Sequence, residues 1–470
     1  MLLKALLTLG MVPLVFGKAQ YMGMNIAGFE FGCETDGTCP TSKTQSPMGS
    51  DAVGQMQHFV KDDQMNIFRL PVSWQFLVNN KLGGTLDANN FGKFDQLIQA
   101  CLGLGTFCAI DLHNFARWNG QIIGQSSGAV TDAQFADVWS QLATKYKTNQ
   151  KVIFGLMNEP HDLDVPLWAN SVQAAVTAIR NAGATSQMIL LPGTNFASAG
   201  KFVSSGSGDA LIKVKNPDGT VDGLVLDLHK YLDEDNSGTH AECTTDNIVD
   251  AFAITADFLR KNGRKALVSE TGAGNTATCL VNFCAQNKFI NDNSDVLMGY
   301  IAWAAGSFGT SYVLSLTPSK QNGKYVDNKL AAQCVVAPFV NAGPATFASS
   351  AVAVPTPSSA VGSVTSSQAS TTNQNANRPS STSVVSSRVA QSTSISSGTK
   401  TASFTGTSAA VLKGTGGIFA TGRANQTVSA SITGPRTSVP TLVATGGVGS
   451  VMRSCGSVFV AGSLVMAAII

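Results

Sequence analysis

The stretch VIFGLMNEPHD, residues 152–162, decides the reading of the fold. It opens as an unbroken apolar run and stops on Asn158 and Glu159, with Pro160 immediately after. An apolar run without polar alternation reads as a strand covered on both faces, as parallel strands between helices are. Proline lacks the N–H that a ladder needs and takes the chain out of the sheet, which leaves a carboxylate at the C-terminal end of a buried strand. Seven further runs share this character: MGMNIAGF (22–29), NIFRLPV (66–72), FCAIDLH (107–113), MILLPGT (188–194), GLVLDLHKY (223–231), KALVSETG (265–272) and LMGYIAWAA (297–305).

Helical patterns lie between most of them. They cover 91–105, 131–147 with Thr131 as a cap, 166–183 and 246–263, the last two ending at glycine, whereas the link between the fifth and sixth strands has a poorer helical signal. Eight strand–helix units within residues 20–345 point to the α/β class and one closed (β/α)8 TIM barrel, a fold of about 250 residues that tolerates large insertions. The alternative is an open doubly wound sheet, but no GxGxxG follows the first strand to support it. The GTGGIFATG at 414–422 lies in a low-complexity region and has no such meaning.

Composition limits what such a barrel can do. The chain has 470 residues, 44% hydrophobic and 13% charged, with a formal net charge of +2, so it can bury a large core and offers no basic surface for nucleic acid. Residues 1–19 combine Lys4, an apolar stretch from Ala5 to Phe16 and the small residues Gly17 and Ala19, a secretory signal with expected cleavage before Gln20. Eight cysteines fall within the barrel region, and Cys455 stands apart. In an exported chain they read as disulfides, expected between neighbours in order: Cys33–Cys39, Cys101–Cys108, Cys243–Cys279 and Cys284–Cys334. Zinc spacing is absent, and no metal or other cofactor is expected.

Beyond Ala345 the sequence turns Ser/Thr-rich and contains no acidic residue. Residues 346–457 read as a disordered, O-glycosylated stalk carrying the N-glycosylation sequon at Asn425. Residues 458–470, VFVAGSLVMAAII, form an apolar tail too short for a membrane span, which needs about 20 residues. Behind the small residues ATGGVGS it reads as a GPI signal, with a merely hydrophobic end as the alternative.

Active sites of such barrels form where the strands end. The ends here carry Arg69, His113, Asn158, Glu159, His229, Tyr231, Glu270 and Trp303. Two carboxylates at opposed strand ends, Glu159 and Glu270, are what glycoside cleavage requires: one protonated to assist the departing oxygen, one ionised to attack. Asn158 is placed to bond a sugar 2-hydroxyl. His229 and Tyr231, two residues apart, point to one side, and Tyr231 and Arg69 can keep the second carboxylate charged. Trp303 offers a flat face for a sugar. Each residue alone has a structural reading: an ion-paired carboxylate, a satisfied core histidine, a packed indole. Their shared location is the argument for function. Trp139 and Trp168 lie on helical patterns and read as core. Trp74 and Trp118 follow the second and third strands in loops, as sugar platforms or as packing.

At RLPVSW, DLHN, GLMNEPHD, DLHKYLD, VSETG and YIAWAAG the chain resembles family 5 glycoside hydrolases, in particular fungal endo-β-1,4-glucanases, over about residues 21–340. The resemblance implies Glu159 as acid/base and Glu270 as nucleophile, with Arg69, His113, Asn158, His229, Tyr231 and Trp303 at the remaining active-site positions. It implies a β-glucan substrate, with mannan or β-1,3-glucan cleavage as alternatives on the same residues and an inactive wall-anchored carbohydrate-binding protein as the non-enzymatic one. Many fungal relatives carry a small cysteine-rich cellulose-binding module. The stalk has no cysteine framework for one, so weak attack on crystalline cellulose is expected, from a secreted monomer held at membrane or wall through its C-terminus.

Overall fold

A computed structural model describes residues 18–125, 127 and 130–342. Residues 1–17, the stalk with Asn425, and the C-terminal tail lie outside them. Eight parallel strands close a barrel: β1 (Tyr21–Ala27), β2 (Ile67–Val72), β3 (Phe107–Leu112), β4 (Val152–Gly155), β5 (Ile189–Pro192), β6 (Leu224–His229), β7 (Ala266–Thr271) and β8 (Leu297–Gly306). Each pairs with its neighbour in sequence, and β8 closes on β1. These are the eight expected runs, shorter at several C-terminal ends. The largest difference is β4, which ends at Gly155, although the N–H groups of Leu156 and Asn158 still donate to the Leu190 and Leu112 carbonyls; Glu159 then takes a left-handed backbone (φ 46°) ahead of Pro160.

The expected helices form at Ala88–Gly103, Asp132–Tyr146, Val165–Asn181 and Ala253–Lys261, the last preceded by a wide turn at Ile248–Phe252. Thr131 and Gln134 make a reciprocal capping box. Gly183 and Gly263, with φ of 95° and 60°, end their helices as the sequence suggests. Between β5 and β6 only Ser207–Leu211 is helical. Two further helices form, Ala52–Lys61, which buries Ala52, Met56 and Phe59, and Ala277–Asp292, which carries little apolar periodicity because amides stand among the hydrophobes on its inner face. In the second, Gln286 and Asn287 are fully buried and donate to Thr271 Oγ1 and the Cys334 carbonyl, both at 2.9 Å.

Alternation along the strands separates two cores. Outward side chains such as Phe68, Ile110, Phe154 and Leu226 pack beneath the helices with Phe94, Trp139 and Trp168. Both tryptophans are fully buried, as expected, and their indole N–H groups donate to the carbonyls of Leu156 (3.2 Å) and Pro192 (2.8 Å) near strand ends. Inward side chains Ile67, Ala109, Ile153, Leu190, Val225, Leu267, Met298 and Ile301 plug the barrel. All four expected disulfides are present. Among the described residues no helix is long and apolar enough to cross a membrane.

Candidate active site

Counting upward from the apolar plug builds the site. Two residues above Ile67, Ala109 and Val225 stand Arg69, Asp111 and Asp227, which face inward by the same alternation. Two residues higher again stand His113 and His229. The middle layer is ionic: the Arg69 guanidinium lies 3.0 Å from Asp111 Oδ1 and donates to Asn25 Oδ1 of β1 at 2.8 Å. It also reaches upward, to Glu270 Oε2 and to Asn158 Oδ1, both at 2.6 Å. One buried cation therefore holds together residues from β1, β2, β3, β7 and the exit of β4.

Strict alternation would place Glu270 on the opposite face from Leu267 and Ser269. A register shift in the β6–β7 pairing, where Leu228 faces Val268 but His229 faces Glu270, removes the conflict. The bulge lets Ser269 meet His229 Nε2 at 3.0 Å while the next side chain, Glu270, also enters the mouth. The Tyr231 hydroxyl donates to Glu270 Oε1 at 2.6 Å. His229 Nδ1 lies 2.9 Å from Glu159 Oε1 and 3.9 Å from Glu270 Oε1, so the imidazole stands between the two carboxylates. Oxygens of Glu159 and Glu270 approach within 4.8 Å of each other. With His229 they form a donor trio with the spacing of a metal site, but Arg69, Tyr231, Ser269 and the Glu159–His229 contact already occupy these atoms.

The two carboxylates differ electrostatically. Burial alone would lift the Glu270 carboxyl, but the charges of His229, Arg69 and His113 and the Tyr231 hydrogen bond outweigh it and hold Glu270 below the usual carboxylate range. Glu270 is 6% exposed at the side chain, against 17% for Glu159, which keeps contact with the open mouth. Burial opposes protonation of His229, yet the nearby Glu270 and Glu159 carboxylates raise it overall. Asp227, buried beneath it, is pushed up to about 6. Such a pair, one carboxylate held ionised and one more open to the mouth, can divide attack and proton transfer between them.

All eight residues expected from the strand ends converge on this mouth. His113 is fixed by Asp111 Oδ2 at 2.9 Å and lies parallel to the Trp303 indole, centroids 5.9 Å apart. Trp303 donates to the Tyr312 hydroxyl at 3.1 Å. Trp74 is fully buried and packs edge to face on Trp118 at 5.2 Å, so it offers no platform. Ser73 caps a helix, Trp74–Leu77, that turns the Trp74 ring inward. Asn25, Asp111, Asp227 and Tyr312 were not expected. Asp111 and Asp227 carry a signal in hindsight, since DLH occurs in both β3 and β6 with the acid two residues below the histidine. Glu30 was also missed. It is buried, its Oε2 accepts from the Gly28 N–H at 2.7 Å, and burial pushes it up to about 7 despite the nearby His113 charge.

Known proteins resemble the chain in sequence and fold. The family model for cellulase (glycosyl hydrolase family 5) matches residues 24–307. Endoglucanase EG-II of Hypocrea jecorina is 56% identical over 324 residues, covering 67% of this chain and 77% of its own length. Endoglucanase 1 of Saitozyma flava is 49% identical over 310 residues, covering 66% and 86%. A crystal structure of Cel5A (EG2) from Hypocrea jecorina (Trichoderma reesei) superposes with a TM-score of 0.67 at 54% identity, over 68% of this chain and 99% of that one. A family match across more than half the chain, on a barrel whose mouth holds two facing glutamates, makes the protein a glycoside hydrolase of the family 5 cellulases.

Proposed function

We propose that the protein is a secreted, retaining endo-β-1,4-glucanase that cleaves internal bonds of cellulose and related β-glucans. The observation that carries the mechanism is the approach of the Glu159 and Glu270 oxygens to within 4.8 Å. Retention needs carboxyl groups about 5–5.5 Å apart, whereas inversion needs about 6.5–9.5 Å to admit a water between carboxylate and sugar. The substrate class is supported by relatives named endoglucanases.

In the first step the ionised Glu270 attacks the anomeric carbon while Glu159 gives its proton to the glycosidic oxygen, so the C–O bond breaks and a glycosyl ester forms on Glu270. Arg69 and Tyr231 hold Glu270 charged and aimed for this attack. In the second step Glu159, now a carboxylate, takes a proton from water. The oxygen attacks the same carbon from the vacated side, and Glu270 leaves with its charge restored. Asn158, pinned by Arg69, is placed for the 2-hydroxyl, and Trp303 supplies the apolar face beneath a sugar ring. The reading extends to the termini: a cleaved leader at 1–19, a glycosylated stalk at 346–457 and a GPI signal at 458–470, with the protein tethered as a monomer at membrane or wall. The test is hydrolysis of soluble carboxymethyl cellulose, mannan and laminarin side by side. Preference for the first with a rapid fall in viscosity is expected; equal or greater turnover of mannan or laminarin would refute the substrate assignment.

A further inference from the structure

A second group of titratable side chains lies away from the barrel mouth, where the segment following β8 meets the helix Ala52–Lys61. His58 is on that helix, Asp63 just beyond its end, and Asp327 just beyond the hairpin formed by Ser319–Gln321 and Lys324–Val326. Their donor atoms lie within 4.8 Å of one another. His58 Nε2 is 3.1 Å from Asp327 Oδ1 and 3.6 Å from Asp63 Oδ2. Donors held about 2.0–2.2 Å from a common metal ion stand about 3–3.5 Å apart, so these separations have the scale of a coordination shell. On the other side of the ring, His58 Nδ1 lies 2.6 Å from Asp62 Oδ2. A carboxylate there fixes the ring so that Nε2 faces Asp327 and Asp63, and a bound cation would replace the direct Nε2–Asp327 hydrogen-bond contact.

Asp63 gives the second observation. The residue is only 6% exposed, and its Oδ2, aimed at the cluster, has no hydrogen-bond partner. A buried acceptor left without a donor is costly. We propose that His58, Asp63 and Asp327 bind a divalent first-row transition cation of the Zn2+ or Mn2+ class. One nitrogen and two carboxylate oxygens suit such ions, with water completing the shell. The cation would join segments 269 residues apart in the chain. It would supplement the exposed anchor that Asp51 makes with Lys320 and Tyr325, both at 2.6 Å, and would clamp the segment that carries Tyr312, the partner of Trp303.

The test uses the full chain, stripped with a chelator and titrated separately with ZnCl2 and MnCl2. Calorimetry should give one equivalent bound with either ion, and saturation near 100 times Kd should raise Tm by about 4 °C. Asp327→Asn and His58→Gln should each weaken binding at least tenfold, while Glu159→Gln at the barrel mouth should keep the full equivalent. Asp327→Asn remains decisive if Asp63→Asn does not fold. Absence of binding by the unsubstituted chain would overturn the proposal. So would binding that survives Asp327→Asn but is lost in Glu159→Gln, which would move the ion to the other trio. A metal-free Tm raised by Asp63→Asn, with no metal bound by the unsubstituted chain, would mean that the two carboxylates share a proton instead.

Discussion

Ser269 and Glu270 are adjacent in the chain and both face the barrel mouth, which an unbroken strand forbids; the β6–β7 register shift permits it. Roles divide at the same scale. Glu270→Gln keeps the shape and removes the proposed nucleophile, so turnover should collapse on every substrate, by 10^3-fold or more on the order of magnitude of a lost covalent route. Glu159→Gln should spare aryl glycosides whose acidic phenols leave without a proton, and steady-state assays on both substrate types separate the two roles. The pH dependence follows from the depressed Glu270 carboxyl. It must be ionised to attack, so kcat/KM falls as pH drops through its folded pKa. Tyr231→Phe removes a hydrogen bond to the charged form, which raises that pKa and should move the acid limb of the profile upward by about one pH unit. An unmoved limb would remove Tyr231 from this role. Most of the mouth residues were legible because each is a polar or aromatic group at or near the end of an otherwise apolar run, whereas Arg69, inside β2, stood out as a lone cation in an apolar strand. Asn25, Asp111 and Asp227 were not, because they sit inside their strands and are tolerated there only through partners from other strands, such as Arg69 for Asn25 and Asp111.

At the scale of elements, period and caps located the strands and four of the helices. Ala277–Asp292 escaped because its inner face carries Gln286, Asn287 and Asn291, and the amides of the first two bond to distant side-chain and backbone groups that a sequence does not display. Trp74 was open to a platform reading for a related reason. The short helix that buries it begins at Ser73, directly after β2, where a loop was expected. Cysteine order compensates for the weak pattern in the first case, since Cys279 and Cys284 tie this helix to Cys243 and Cys334. The Cys284–Cys334 bridge spans 50 residues, and the loss of chain entropy on closing such a loop corresponds to about 4 kcal/mol. Cys284→Ala with Cys334→Ala should therefore lower unfolding free energy by about 2–4 kcal/mol in denaturant titrations, with turnover at low temperature nearly unchanged. Equal stability of the variant and the parent would contradict this.

At the scale of the molecule, the barrel places its apolar plug below, an ionic layer above it and the two carboxylates at the mouth, so several ionisable groups are buried inside it. Two of those buried acids, Glu30 and Asp227, hold their protons to about pH 7 and 6. Their folded pKa values exceed the unfolded ones, so the stability they contribute is full below the unfolded values and is lost as pH rises through the folded ones. Their contribution should be greatest below about pH 4, decline between about pH 4 and 7 and level off above that. Glu30→Gln should flatten that decline, by up to about 3 kcal/mol, in unfolding measured across pH. A decline of undiminished slope in the variant would place its origin elsewhere.

The central claim is that Glu159 and Glu270 stand close enough for a covalent glycosyl-enzyme and too close for an intervening water. Proton NMR of the anomeric signals, recorded as a soluble cello-oligosaccharide begins to be cleaved and before mutarotation, tests it most directly. Two displacements at one carbon should release the β-anomer first, with the α-anomer appearing only as mutarotation proceeds. Initial release of the α-anomer would mean a single displacement by water, and the roles assigned to both glutamates would be wrong.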